Sequence, residues 1–538
     1  MILELKGRNL KAKNLYYNAK IYTQADLLTV NSMAVYKNKI TAIGNNLEYD
    51  PDFKSYAKID LKGKTITPGF VDAHTHFYYF ALSFRRVSLD GLDSLEKCLN
   101  KIKVFAKTLK KNEWVLGEGY SPDRFKKFIE PDKYMLDKVT GGRPAFIFSK
   151  DQHSAWANSK AIQIAGVNDK TKDPVGGKIE KLPDGTPSGI FREKSAFGII
   201  YFKIPLPSKA IENKCYNQAL EYAYEKGVVG VHSMDDSPGV FDFFLEKAEK
   251  GKLGLRLNYY FPAGAIDILK EAKIYFGMGD EFLRVAGIKI FTDGALGSKT
   301  GLCFNKYIGS KDNFGIEISS VKEMLKIAKK AVKLNLPCAV HAIGDKAVSN
   351  VLEVFESLPG LHFGARQRIE HLQMIRRKDI SRLKKVEAVA SMQPSHCLSD
   401  IQMVRKYWGN RGNNCYIFKT LIDQTVPLAF GSDVPIEPLD PIAGIDAAVR
   451  RAKMKSKDVF YPKQRITAEQ ALYNFTVGPA YAVGQEYCRG YLLPGYPADF
   501  VVLSQDICKI APSKIINTKV LATFLDGKIK YIDKSLSL

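Results

Sequence analysis

Four short stretches of this 538-residue chain carry the side chains best suited to holding a metal ion. The first, Thr67-Pro-Gly-Phe-Val-Asp-Ala-His-Thr-His-Phe77, closes an apolar run with His74 and His76 two residues apart. Side chains alternate along a strand, so residues i and i+2 point the same way and both imidazoles can reach one ion from a strand end. Three further apolar runs end in metal-competent groups: Pro337-Cys-Ala-Val-His341, Arg368-Ile-Glu-His371 and Pro427-Leu-Ala-Phe-Gly-Ser-Asp433. Zinc-type divalent ions accept imidazole nitrogen and carboxylate oxygen, and a catalytic site keeps one position open for water. His74, His76, His341, His371 and Asp433 suffice for one ion, or for most of the shell of two. A bound ion lowers the pKa of water from 15.7 to about 7 and so creates hydroxide at neutral pH. Asp433 beside it can take that proton and hand it to a leaving nitrogen, which cannot depart as its anion. The chemistry expected is hydrolysis of a non-peptide carbon-nitrogen bond in a small molecule. Ester or lactone hydrolysis on the same fold is the alternative, as is a metal-binding barrel without catalysis.

The elements that must position these groups follow from the same pattern. From about residue 222, short apolar runs alternate with helical stretches: Val228 to Met234, Leu255 to Phe261, Val285 to Phe291, Pro337 to Ile343, Arg368 to Met374, Val389 to Ser395 and Pro427 to Asp433. With the opening strand they make eight, the count of a (β/α)8 TIM barrel, and helices such as Val321 to Lys333 separate several of them. The metal-competent residues then fall at the C-terminal ends of strands one, five, six and eight, the face on which barrel active sites lie. Between about 78 and 220 the alternation lapses, and a connection that long is expected to be an inserted subdomain at the active face. Residues 1–66 and 480–538 read as short strands and turns, with hairpin signals at Lys37-Asn38-Lys39 and Asp526-Gly527. Neither piece buries enough apolar area alone, so the two are expected to form one composite β-sandwich around a barrel spanning 67–479.

Composition excludes several classes. The net charge of +23 would suit an acidic partner, but the basic residues are dispersed, with no aromatic-interleaved stripe and no nucleic-acid motif. Neither a nucleic-acid nor a membrane partner is expected. The N-terminal Met1-Ile-Leu-Glu-Leu-Lys-Gly-Arg-Asn9 lacks the apolar core of a secretion signal, and eight cysteines without a Cys-x-x-Cys fit reduced thiols in a cytoplasm. The oligomeric state stays open, a homo-oligomer being compatible with the sequence.

The motifs resemble, in order and over nearly the whole chain, those of the amidohydrolase superfamily and within it the YtcJ-like (amidohydrolase 3) group. They are Pro-Gly-Phe-Val-Asp-Ala-His-Thr-His, Val-His-Ala-Ile-Gly-Asp-Lys-Ala, Arg-Ile-Glu-His-Leu-Gln and Gly-Ser-Asp-Val-Pro-Ile-Glu-Pro-Leu-Asp-Pro. The resemblance implies the same barrel and composite sandwich. It also implies a role for Lys289 on the fourth strand: an ordinary lysine is cationic, with a pKa of about 10.4, but its carbamate is an anion able to bridge two ions. A lysine that contacts substrate in a one-ion enzyme is the other reading. Asp293 and the Gly294 to Gly297 loop are then expected at the pocket rim. His153, Trp156 and Glu193 in the insertion, and His396 after strand seven, are candidate substrate contacts. Where the group usually has Asp-Gly-His-Ser, this chain has Asp151-Gln-His-Ser. His232 could equally pack the barrel, and His362 is expected at the surface.

Overall fold

The computed structural model describes residues 12–536, apart from 26–28, 123–124, 127–129, 151–153, 175 and 455. Eight strands form one sheet in chain order: β1 (Phe70–Thr75), β2 (Val228–Ser233), β3 (Arg256–Pro262), β4 (Leu283–Phe291), β5 (Cys338–Ala342), β6 (Arg368–His371), β7 (Val389–Met392) and β8 (Leu428–Phe430). Every neighbouring pair is parallel. The ends of the sheet meet, because the Asp433 N–H donates to the His74 carbonyl and the His76 N–H to the Val434 carbonyl, both at 2.8 Å. The result is a nearly closed TIM-type barrel. Strands buried on both faces need continuous apolar runs, and β2, β7 and β8 are buried at every position. A helix on the barrel's outside buries one stripe only. In Val321–Val332 the buried residues are Met324, Ala328 and Ala331, and Ser320 with Glu323 forms a capping box at its start.

Two further sheets flank the chain's passage into the barrel, one from the N-terminal stretch alone and one from strands of both terminal stretches. One has the strands Lys39–Gly44, Ser32–Tyr36, Lys13–Tyr17 and Ala57–Asp60. The other runs in the order Lys528–Ile532, Val520–Leu525, Phe500–Leu503, Thr65–Pro68, Lys20–Tyr22 and Thr29–Val30, so strands from residues 20–68 and 500–532 share one sheet. Tyr16, Met33 and Val35 share a core with Phe500, Val502 and Phe524. The rings of Phe500 and Phe524 stack at 4.1 Å, and Tyr16 meets both edge-on. Strand Thr65–Pro68 runs through Gly69 directly into β1.

Residues 81–219 form a second compact unit. Its sheet has the order Lys178–Lys181, Pro187–Arg192, Ser154–Ala157, Ala145–Ser149, Val115–Tyr120 and Val87–Ser88. Two apolar clusters pack on it, one with the helix Leu95–Ala106 and one with the helices Ser159–Ile164 and Glu193–Tyr201. Among the described residues no helix is long and apolar enough to cross a membrane.

Candidate metal centre

Six side chains named from the sequence meet at the C-terminal mouth of the barrel. His74 and His76, at the end of β1, each have Nε2 3.5 Å from Asp433 Oδ1, at the end of β8. Lys289, on β4, has Nζ 3.5 Å from His74 Nε2. The His371 ring lies 4.7 Å from that of His74 and 4.6 Å from that of His341. His74, His371 and Asp433 each offer a ligand atom within 4.8 Å of the other two. His341 adjoins this trio through its contact with the His371 ring.

Regular strands alone would not aim these groups. Arg368 and Glu370 point into the barrel, so alternation would send His371 to the opposite face. Left-handed backbone at His371 (φ 69°) and Leu372 (φ 44°) breaks the alternation, and Asp433 is also left-handed (φ 62°). Such conformations cost about 1–3 kcal/mol each outside glycine and persist where surrounding contacts fix them. Asp72, buried two residues before His74, supplies some of that fixing: its carboxylate accepts the N–H of His74 and of Ser432. Gly431 lets the two strand ends approach, since a Cβ there would lie 2.5 Å from His74 N.

Hydrogen bonds set which nitrogen each imidazole presents. His74 Nδ1 donates to Glu370 Oε2 at 2.6 Å, leaving the lone pair on Nε2. His371 Nδ1 donates to Gln393 Oε1 at 2.9 Å with the same result. His341 reverses the pattern, with Nε2 donating to the Gly294 carbonyl at 2.9 Å, so its lone pair is on Nδ1. Glu370 is gripped in turn by Arg368, at 2.8 and 3.1 Å, and Arg368 also donates to Ser391, Tyr260, the Ala73 carbonyl and His232 Nδ1. Partners of this kind orient metal-binding histidines and raise their basicity. Burial, the largest cause throughout, holds His74 and His371 well below the usual imidazole range, His76 at about 4 and His341 at about 3. All four are therefore neutral at pH 7, the form that binds a metal. Burial also lowers Lys289 and raises Asp433, and in each the charge of the other opposes the shift. Neutral imidazoles with directed lone pairs and the side chain of Asp433 among them fit a divalent cation.

The other sequence-named residues divide. His396 lies close, its Nε2 3.7 Å from Asp433 Oδ2 and its ring stacked on His371 at 6.1 Å. Asp293 is not at a rim: it is fully buried, and its carboxylate accepts the N–H groups of Leu302, Ile343 and Gly344, which makes it a brace for two loops. Trp156 is likewise core, fully buried against Tyr120 with its indole N–H donated to the Asp132 carbonyl. Glu193 is the exposed first residue of its helix, with φ 64°. His153 and the Asp151-Gln152 pair lie outside the described residues. His232 packs inside the barrel. Sequence reading overlooked Asp72, Arg368, Glu370 and Gln393. The available signal was Arg368-x-Glu370, two charges on one face of a strand that must be buried.

Known proteins resemble the chain over the same span. A model of the amidohydrolase family matches residues 57–531. Protein LONG AFTER FAR-RED 3 of Arabidopsis thaliana is 30% identical over 534 residues, covering 96% of this chain and 91% of that protein. The N-substituted formamide deformylase of Arthrobacter pascens is 25% identical over 497 residues, covering 88% and 89%. A metal-dependent hydrolase of Pyrococcus horikoshii OT3 superposes with a TM-score of 0.78 at 28% identity, covering 93% of this chain and 99% of that one. With the barrel, the ordered motifs and the converging histidines all agreeing with a match over most of its length, this chain belongs to the amidohydrolase family.

Proposed function

We propose that this metal-dependent hydrolase cleaves a non-peptide carbon-nitrogen bond, in an amide, formamide or cyclic amide of a small molecule. The observation that carries the reading is Asp433, a buried carboxylate 3.5 Å from both His74 and His76 at the open end of the barrel. His74, His76, His341, His371 and Asp433 would hold one or two divalent ions of the zinc type. Such an ion supplies Lewis acidity toward water and toward the carbonyl under attack. Asp433 accepts the proton that the attacking water gives up and delivers it to the leaving nitrogen, which departs as a neutral amine. Glu370, Gln393 and the Gly294 carbonyl keep three imidazoles in the tautomers described above. Lys289, buried with its amine 3.5 Å from His74 Nε2, is where a carbamate would form: the amine nitrogen bonds carbon dioxide and releases one proton, giving an anionic group that could add to the ligand set. The name of the Arthrobacter relative supports formamides as a first substrate class to test.

The test is metal analysis of purified protein with a screen of N-formyl and N-acyl amines beside the matching esters. Amine release that is lost on chelation and falls by about 10²–10⁴ in Asp433→Asn is expected. Esters cleaved in preference to every amide would transfer the assignment to ester chemistry. Intact mass distinguishes carbamylated from free Lys289.

A further inference from the structure

Around Asp433, the ends of four neighbouring strands, β7, β8, β1 and β2, carry a run of linked side chains. On one side Asp433 Oδ1 lies 3.5 Å from His76 Nε2, and the Tyr79 ring stacks on that of His76 at 6.1 Å. The Tyr79 hydroxyl donates to Asp236 Oδ1 at 2.6 Å and accepts from Ser237 Oγ at 2.5 Å, in the loop that follows β2. On the other side Asp433 Oδ2 lies 3.7 Å from His396 Nε2. Ser399, one turn on from His396 in the helix Pro394–Ser399, donates to Glu437, in the loop that follows β8. Two carboxylates are thus tied, one through each arm, to groups that touch Asp433.

We propose that the substrate is a monoacylated diamine, an amide whose amine half ends in a second, protonated amine, and that Asp236 and Glu437 hold that ammonium group. The proposal rests on amide hydrolysis being the reaction. Asp433 gives its proton to the leaving nitrogen, so the amine half of the substrate must lie against Asp433, on the side of the mouth where both carboxylates stand. Asp236 is exposed, and among the described residues Tyr79 is its one hydrogen-bond partner and no lysine or arginine pairs with it. A carboxylate has about four lone-pair sites, so one bond from Tyr79 leaves room for an ammonium group, which only donates. The charge of Asp236 reaches His76 and Lys289, and that of Glu437 reaches Asp433. An acidic rim is not what composition supplies in a chain of net charge +23.

Two further observations place the rest of such a molecule. His396, 8% exposed, has no hydrogen-bond partner for Nε2 among the described residues. Its 3.7 Å from Asp433 Oδ2 is too long for a hydrogen bond but admits an atom that meets both, as a leaving nitrogen would. Across the barrel from β8, at the end of β4, Phe291 is 37% exposed with its ring 5.2 Å from that of His341, an apolar wall for the acyl half.

The test uses zinc-loaded full chain and three amides of matched length: mono-N-acetyl-diaminobutane, the neutral N-pentylacetamide and the anionic N-acetyl derivative of γ-aminobutanoate. Wild type should favour the first over the second by about 10–100-fold in kcat/KM, the worth of a charge-assisted hydrogen bond. Asp236→Asn and Glu437→Gln should each cost the cationic amide most of that factor, chiefly through KM, and the neutral one much less. Asp236→Lys should turn the preference toward the anionic amide, which a merely structural role would not do. Equal turnover of the cationic and neutral amides by wild type overturns the proposal and leaves the reaction standing. Loss of zinc from Asp236→Asn, with both amides slowed alike, would make Asp236 a counter-charge to the metal and overturn it too. If wild type cleaves no amide, the reaction assignment falls, and calorimetry of the cationic and neutral amides on the same protein decides the ammonium site alone: equal affinities overturn it.

Discussion

Glu370 lies one hydrogen bond behind His74, and its effect should appear in metal affinity before it appears in chemistry. In Glu370→Gln the amide oxygen must serve both Arg368 and His74, so the tautomer of His74 loosens. We expect zinc to bind about 10–100-fold more weakly, read by competition with a chromophoric chelator; unchanged affinity would refute the orienting role. Asp400 makes a different prediction, one of stability. Burial raises its carboxyl from 3.8 to about 6, opposed by the hydroxyl of Tyr416. The native state thus keeps a proton that the unfolded chain releases near 3.8, so this contribution is complete below that pH and is lost as pH rises through about 6. Asp400→Asn should flatten the decline, by about 2–3 kcal/mol between pH 4 and 7 in urea midpoints, and an unaltered slope would show the group titrating normally. At this scale the sequence was legible where a residue type is itself the chemistry, as with His74, His76 and Asp433. It was not legible for Asp293, because a carboxylate bracing three backbone N–H groups has the same letter as one facing a substrate.

Alternation of apolar strand and amphipathic helix made the eight barrel strands readable, and their chain order then put the ligand-bearing ends on one face. What alternation could not give was the direction of His371, which depends on left-handed backbone at the strand's last residue. Nor could it give the seam between β1 and β8, which rests on Asp72 and on a missing side chain. Gly431→Ala places a Cβ 2.5 Å from His74 N and 2.6 Å from Asp72 Oδ1. Both atoms belong to the seam, so the strand ends must part. A loss of about 3 kcal/mol in chemical denaturation is expected, together with lost zinc binding. If the alanine variant binds zinc like wild type, the close approach is not what holds His74.

The composite sandwich was expected both because neither terminal stretch could bury a core alone and from the family resemblance, and strands 65–68 and 500–503 pair antiparallel in one sheet. Its coupling to the barrel was not readable, because Arg256 and Asp499 are 243 positions apart. Arg256, at the start of β3, donates to both oxygens of Asp499 at 2.5 and 3.1 Å, and to Asp526 at 3.0 Å. Removing one member of a buried pair strands the other in a poor solvent for charge, which costs about 3–5 kcal/mol. Arg256→Met should therefore destabilise the whole chain by about that much. Removing both charges should cost far less, because Asp499→Leu added to Arg256→Met takes away the stranded carboxylate as well. Arg489 remains 3.7 Å from Asp499 and would recover part of the loss in the single variant, so the measured value should fall at the low end of that range. Denaturation of the two single variants and the double closes the cycle. Strict additivity would mean that Arg256 and Asp499 act independently, and that the sandwich is joined to the barrel by its strand connections rather than by this pair.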